Sequence, residues 1–127
     1  MTTNDEGIPG VLQLLLNSLE RRDNCDIAHL CTEKSIYVAE DPHGIRLSEG
    51  EAGIIAGLGE ARNLLGETPQ RVSTVRIDDD YWACTHLSLR EGVIGMQVRS
   101  SVLLYNGLIA EVRQTFSAYS ATNSGTA

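Results

Sequence analysis

Aromatic residues fill only 5% of the 127 positions, with a single Trp and a single Phe, and basic residues are outnumbered by acidic ones, 10 to 17. A formal net charge of −7 argues against a nucleic-acid or anionic-membrane partner, since either needs a basic face to displace counterions. Long apolar runs are also missing. The stretch Val11 to Leu16 is interrupted by Gln13 and is far too short to span a bilayer. The first residues, MTTNDEG, are polar and acidic, which predicts a cytoplasmic protein without a secretory signal. Cys25, Cys31 and Cys84 are odd in number and lack metal-ligand spacing, so they read as buried hydrophobes or free thiols, with no metal site. There is no phosphate-binding loop, no G-x-S-x-G and no H-E-x-x-H, and hence no signal for a cofactor. The length suits one domain with one core.

The folded part is expected over 8–118, between disordered ends at 1–7 and 119–127, whose composition is polar and small. Ile8, Val11, Leu12, Leu15 and Leu19 recur at three- and four-residue steps, which predicts an amphipathic helix ended by Glu20, Arg21 and Arg22. Asp23 or Asn24 caps a second, shorter helix to about Glu33, with Ile27, Leu30 and Cys31 on one face. A strand Ser35 to Ala39 follows, then a break at Asp41-Pro42 and Gly44. Ser48 and Glu51 form a capping-box pattern that opens a third helix ending at Gly66. Gly53, Gly57 and Gly59 weaken that helix by about 1 kcal/mol each relative to Ala, a cost consistent with close packing on a sheet.

From Pro69 the period becomes extended. Strands are expected at Arg71 to Asp78, Tyr81 to Arg90, Val93 to Tyr105 and Leu108 to Ser117. Turns fall at Asp78-Asp79-Asp80, Glu91-Gly92 and Asn106-Gly107, with a bulge near Gly95. The fold class is thus α+β, with helices covering one face of a curved, mostly antiparallel sheet. Alternation puts Trp82, Cys84, His86 and Ser88 on one face, and Ala110, Val112, Gln114 and Phe116 on one face of the last strand. The opposite faces also carry apolar residues, which predicts a homodimer.

The element order, and above all AEDPHGIRLSEGEAGI at 39–54, resembles the nuclear-transport-factor-2-like superfamily, which includes ketosteroid isomerases, limonene-epoxide hydrolases and SnoaL-type polyketide cyclases. Glu40-Asp41-Pro42, Gly44, Gly50, Ala52 and Ile54 carry the likeness, with the acidic turn before Trp82, Gly92 and NGLIAEVRQTFS at 106–117. The resemblance implies a cone-shaped roll in which three helices and the sheet enclose one pocket. It implies that Asp41 is a general base acting beside a ketone, as in the ketosteroid isomerases. The family's partner positions fall on Leu15 and on Ser101 or Ser100, which departs from its Tyr and protonated Asp. Losing one such oxyanion donor costs about 10²–10³ in rate. Against the epoxide hydrolases, His86 and Ser88 fall where an Arg and an Asp belong, and Gln114 falls on the second Asp and on the cyclases' base. Gln takes no proton at neutral pH.

Asp41 and His86 remain as the groups able to exchange protons near neutrality. His43 and His29 read as surface or packing residues. The expected function is a cofactor-independent isomerase or cyclase acting on a hydrophobic, carbonyl-containing small molecule, steroid-like or polyketide-like. Its catalytic residues are Asp41 and His86, and its pocket is lined by Tyr37, Trp82, Cys84, Ser88, Val112, Gln114 and Phe116. The alternatives are a non-catalytic small-molecule-binding or dimerisation module of the same fold and, more weakly, an epoxide hydrolase.

Overall fold

A computed structural model describes residues 7–21, 27–66, 69–90 and 93–118. Of the expected disordered ends, 1–7 and 119–127, all but Gly7 lie outside the described residues, as do the caps Asp23 and Asn24, Cys25, and the Glu91-Gly92 turn. The elements run α1 (Gly10–Arg21), a single 3₁₀ turn (Ala28–Leu30), β1 (Cys31–Asp41), β2 (Gly44–Glu49), α2 (Gly50–Leu65), β3 (Pro69–Asp78), β4 (Tyr81–Arg90), β5 (Val93–Tyr105) and β6 (Leu108–Ala118). They build one curved six-stranded sheet in the order β2-β1-β6-β5-β4-β3. Every neighbouring pair is antiparallel except β1 and β6.

Two helices are described, not three. Over its described part, 27–33, the second expected helix is the 3₁₀ turn followed by strand, because Cys31 to Glu33 are already in β1. The break or turn expected after Asp41 is the turn of a hairpin. Asp41 Oδ1 accepts hydrogen bonds from the backbone N–H groups of His43 and Gly44 at 2.8 and 3.1 Å, the Asx-turn geometry that Asp before Pro favours. The chain then returns along β1 as β2. Ser48 pairs with Tyr37 inside this ladder, and Gly50, at φ +80°, turns the chain straight into α2. The N-cap is therefore Glu49, with no side-chain capping bond, and the Ser48–Glu51 capping box does not form.

Three irregularities position side chains. Leu89 pairs with Ile94 and Ser88 with Met96, which leaves Gly95 as the bulged residue. Leu103 pairs with Glu111 and Leu104 with Ile109, which makes Ala110 a second bulge and turns Ile109 rather than Ala110 into the core. Arg71 pairs with His86 and Ser73 with Thr85, so a bulge at Val72 lets both Arg71 and Thr74 face the same side as His86 and Cys84. Asn106 and Gly107, both at positive φ, close the last hairpin in the type I′ manner.

The core lies between the helices and one sheet face. Leu12, Leu15, Leu16 and Leu19 of α1 meet Ile54, Leu58, Ala61 and Leu65 of α2 and the inward residues of β1, β4, β5 and β6. On the outer face and edges Ile45, Leu47, Val75, Ile77, Leu103 and Tyr105 are exposed. Helix α2 is pressed onto β1 at Gly57, where an added Cβ would sit 2.3 Å from the Tyr37 ring. Gly59 has no such neighbour, its nearest being the end of Arg62 at 3.6 Å. Gly57→Ala is expected to destabilise the protein by about 1–3 kcal/mol through overpacking. Gly59→Ala is expected to be neutral or to stabilise by up to about 1 kcal/mol. Urea denaturation of the two variants checks the contrast.

Candidate functional site

Every side chain expected to line the pocket is buried, as is His86: Tyr37, Trp82, Cys84, His86, Ser88, Val112, Gln114 and Phe116. The register explains why they gather. Cys84, Ser100, Gln114 and Ala39 form one row across β4, β5, β6 and β1, and Trp82, Val102, Val112 and Tyr37 form the next. His86, Val98 and Phe116 make a third row. Ser100 is the buried member of the serine pair, while Ser101 is only half-buried. Leu15 is fully buried among the α1 leucines.

Two polar networks cross this face. The Tyr37 hydroxyl donates to Gln114 Oε1 at 2.5 Å and lies 3.2 Å from the Gly57 carbonyl. Gln114 Nε2 in turn donates to Ser100 Oγ at 2.9 Å. Burial, with Glu60 next in effect, pushes the Tyr37 phenol well above its ordinary range, so Tyr37 acts as a neutral donor.

The second network joins α1 to the opposite half of the sheet. His86, with no solvent exposure, bonds through Nε2 to Glu20 Oε2 at 2.7 Å. The same oxygen takes Arg71 Nε at 3.0 Å. His86 Nδ1 and Trp82 Nε1 are buried and, among the described residues, have no hydrogen-bond partner. Cys84 stands beside His86 on this face, and burial pushes its thiol up to about 11, partly opposed by Thr74 and Arg71. That thiol is a neutral wall residue at physiological pH, not a nucleophile.

Glu20 and Arg71 were absent from the expected site. Glu20 read as a helix-ending charge, yet it lies four residues after Leu16 and eight after Leu12, on the stripe that α1 buries. That spacing was the available signal. Arg71 is brought inward by the Val72 bulge, which no feature of the sequence announces.

Asp41 is placed differently. Its carboxylate oxygen is taken up by the turn backbone, and the residue borders a surface cleft of about 270 Å³ with Arg46, Leu64, Met96 and Phe116. A smaller cleft of about 170 Å³, lined by Leu64, Ser88, Gly95 and Met96, opens beside it and shares Leu64 and Met96. Ser88 is one inward-facing step along β4 from His86. Neither cleft is lined by His86, so Asp41 and His86 do not meet in either. A larger cleft of about 420 Å³, between Thr32–Lys34 and the β5–β6 turn, is lined by none of these inner-face residues. Among the described residues no group of three His, Cys, Asp or Glu side chains is placed to hold a metal ion, and no helix is long and apolar enough to cross a membrane.

No family model matches the sequence, and no curated protein matches it. Solved structures do match. A Kribbella flavida protein assigned as a ketosteroid isomerase aligns with a TM-score of 0.63 at 17% identity, over 86% of this chain and 77% of that one. A Sinorhizobium meliloti protein assigned as a polyketide cyclase aligns at 0.61 and 14%, over 84% and 94%. An NTF-2-like protein of unknown function from Burkholderia xenovorans aligns at 0.61 and 12%, over 84% and 80%. Identities this low speak for architecture and not for chemistry, and the chain shares its α+β fold with these ketosteroid isomerase-like, polyketide cyclase-like and NTF-2-like structures.

Proposed function

We propose that this chain binds a hydrophobic, carbonyl-containing small molecule, steroid-like or polyketide-like, against the inner sheet face and moves a proton on it without a cofactor, as an isomerase or cyclase. One observation carries the reading. His86 is a buried imidazole with one nitrogen held by a carboxylate and the other left without a protein partner. A buried polar atom without a partner is rare and costly, and ligand binding is one way to satisfy it. The ligand enters between Leu64 and Met96, past Ser88, and reaches His86 at the next inward position.

In this scheme His86 Nδ1 removes a proton from the carbon beside the carbonyl, and the electron pair moves onto the oxygen to give an enolate. The imidazolium then returns the proton at the far end of the conjugated system, which shifts the double bond. In ring closure the enolate carbon attacks a second carbonyl, and the proton goes to the new alkoxide. The developing oxygen charge is met by Trp82 Nε1–H, which has no other acceptor, and by the Ser100 hydroxyl, whose oxygen already accepts from Gln114. Asp41 serves the turn rather than the chemistry. The exposed Val75, Leu103 and Tyr105 fit the outer sheet face as the surface through which a homodimer forms.

A second reading, a binding module without chemistry, is favoured by the engagement of Asp41 in its turn and by the closely filled interior. Deuterium uptake from D₂O at the activated carbon of 2-tetralone, a hydrophobic bicyclic ketone, separates the two when read beside Trp82 fluorescence. Catalysed uptake supports proton transfer, whereas a fluorescence change without it supports the binding module. His86→Gln is expected to cut protein-dependent uptake by about 10²-fold or more, with an unchanged circular dichroism melt as the fold control. An effect below about threefold removes His86 from the mechanism.

For Asp41 the expectation is inverted. Asp41→Asn, which keeps the turn acceptor, leaves uptake within about threefold, while Asp41→Ala costs about 1 kcal/mol of stability in urea denaturation. A loss of about 10²-fold in Asp41→Asn would instead make this carboxylate the base.

A further inference from the structure

We infer that Glu20, gripped by Arg71, is a positioning residue that fixes His86 as the Nε2–H tautomer, so that the site presents a hydrogen-bond acceptor and selects ligands carrying an enol or phenol hydroxyl. The inference deepens the proposed site and rests on that reading for its ligand half, but its tautomer half concerns the ligand-free protein.

Among the described residues, the charged or titratable side chains beside the imidazole are Glu20 from α1, Arg71 from β3, and Cys84 on the same face of β4. The thiol is neutral at physiological pH, with its titration pushed up to about 11. Protonation of His86 would add a positive charge to a largely buried cluster that already holds the Arg71 guanidinium. It would also leave an Nδ1–H with no acceptor, since Nδ1 has no partner among the described residues. A neutral ring avoids both costs.

Between the two neutral tautomers the carboxylate decides. Glu20 Oε2 is an acceptor 2.7 Å from Nε2, so the proton belongs on Nε2 and the lone pair on Nδ1. A lone pair on Nε2 would face a carboxylate oxygen at hydrogen-bond distance with no proton between them. A charge-assisted bond of this kind favours the Nε2–H form by at least about tenfold. Arg71 makes the arrangement stiff. Its Nε donates to the same oxygen at 3.0 Å, which prevents the Glu20 side chain from turning away. The consequence for recognition is a matter of sign. An acceptor at Nδ1 is satisfied by a ligand O–H and left unsatisfied by an ether or an isolated ketone in the same place.

Long-range ¹H–¹⁵N correlation spectra of the ligand-free protein at neutral pH test the tautomer, with His29→Gln and His43→Gln assigning the two exposed histidines. The expected result is His86 protonated at Nε2 and unprotonated at Nδ1. An Nδ1–H or doubly protonated ring overturns the inference, and this measurement requires no change at the cluster. In Glu20→Gln, with the fold checked by its melt, the preference for Nε2–H is expected to fall below about threefold. An unchanged tautomer in a folded variant overturns the positioning role of Glu20.

The ligand half is read with 2-naphthol and 2-methoxynaphthalene. The naphthol is expected to shift the His86 Nδ1 resonance and to bind at least about tenfold more tightly than the ether. Equal binding, or a naphthol that leaves Nδ1 unmoved, overturns the hydroxyl preference. An Nε2–H ring in a protein that catalyses no exchange on 2-tetralone refutes proton transfer while upholding the tautomer, so the two failures are told apart.

Discussion

A single carboxylate ties the first helix to the far half of the sheet. Helix α1 meets the strands through long side chains rather than close backbone approach, and Glu20 is the polar link, shared between Arg71 on β3 and His86 on β4. Its neighbours on α1 are leucines, which contribute burial but no direction. The Glu20 bonds supply direction. They fix the end of α1 over β3 and β4, while α2 is fixed over β1 by the close approach of Gly57 to Tyr37 and the bond between them. Each helix is thus registered against a different half of the sheet. Arg62 of α2 reaches the Ser18 carbonyl of α1 at 3.3 Å and joins the halves. Glu20 and Arg71 keep 18% and 16% of their side-chain surface exposed, which lowers the desolvation cost that makes fully buried ion pairs unprofitable.

Features that depend on period or on local turn chemistry were legible in the sequence. Strand alternation placed Trp82, Cys84, His86 and Ser88 on one buried face, and the Asn106-Gly107 turn and the Gly95 bulge stand where their residue types put them. What could not be read depends on partners distant in the chain. The β1–β2 hairpin was hidden because β2 is an edge strand exposed along its whole length, so it shows no burial pattern. The bulges at Val72 and Ala110 have no glycine to mark them, yet each reverses which residues face inward. The site divides along the same line. Its walls follow from alternation, whereas Glu20 and Arg71 become visible only when α1 is laid across the sheet.

The inner face carries more polarity than packing alone requires. Tyr37, Gln114 and Ser100 satisfy one another in a chain, and such a network costs little once every member is bonded. The chain stops short on the β4 side, where Trp82 Nε1 and His86 Nδ1 have no acceptor or donor. Closed networks specify a fold, while open ends are available to a ligand. In the proposed reading, recognition falls beneath the C-terminal part of α1 and not at the Tyr37–Gln114 pair, although both belong to the same buried surface.

The interior is occupied by leucine and valine side chains, so a ligand must displace something to reach His86. Leu64 and Met96, which border both clefts on the route past Ser88, are suited to yield. Leu64 is 42% exposed and Met96 is only half-buried, and the unbranched thioether has three rotatable bonds that adapt to a changed neighbour at small cost. The bulge at Gly95 loosens the ladder at this same point. The proposed route lies where the ladder is already interrupted, outside the row of His86, Val98 and Phe116. In the proposed mechanism His86 then remains positioned as the base while access to it changes, and proton transfer in a site closed to water needs that separation.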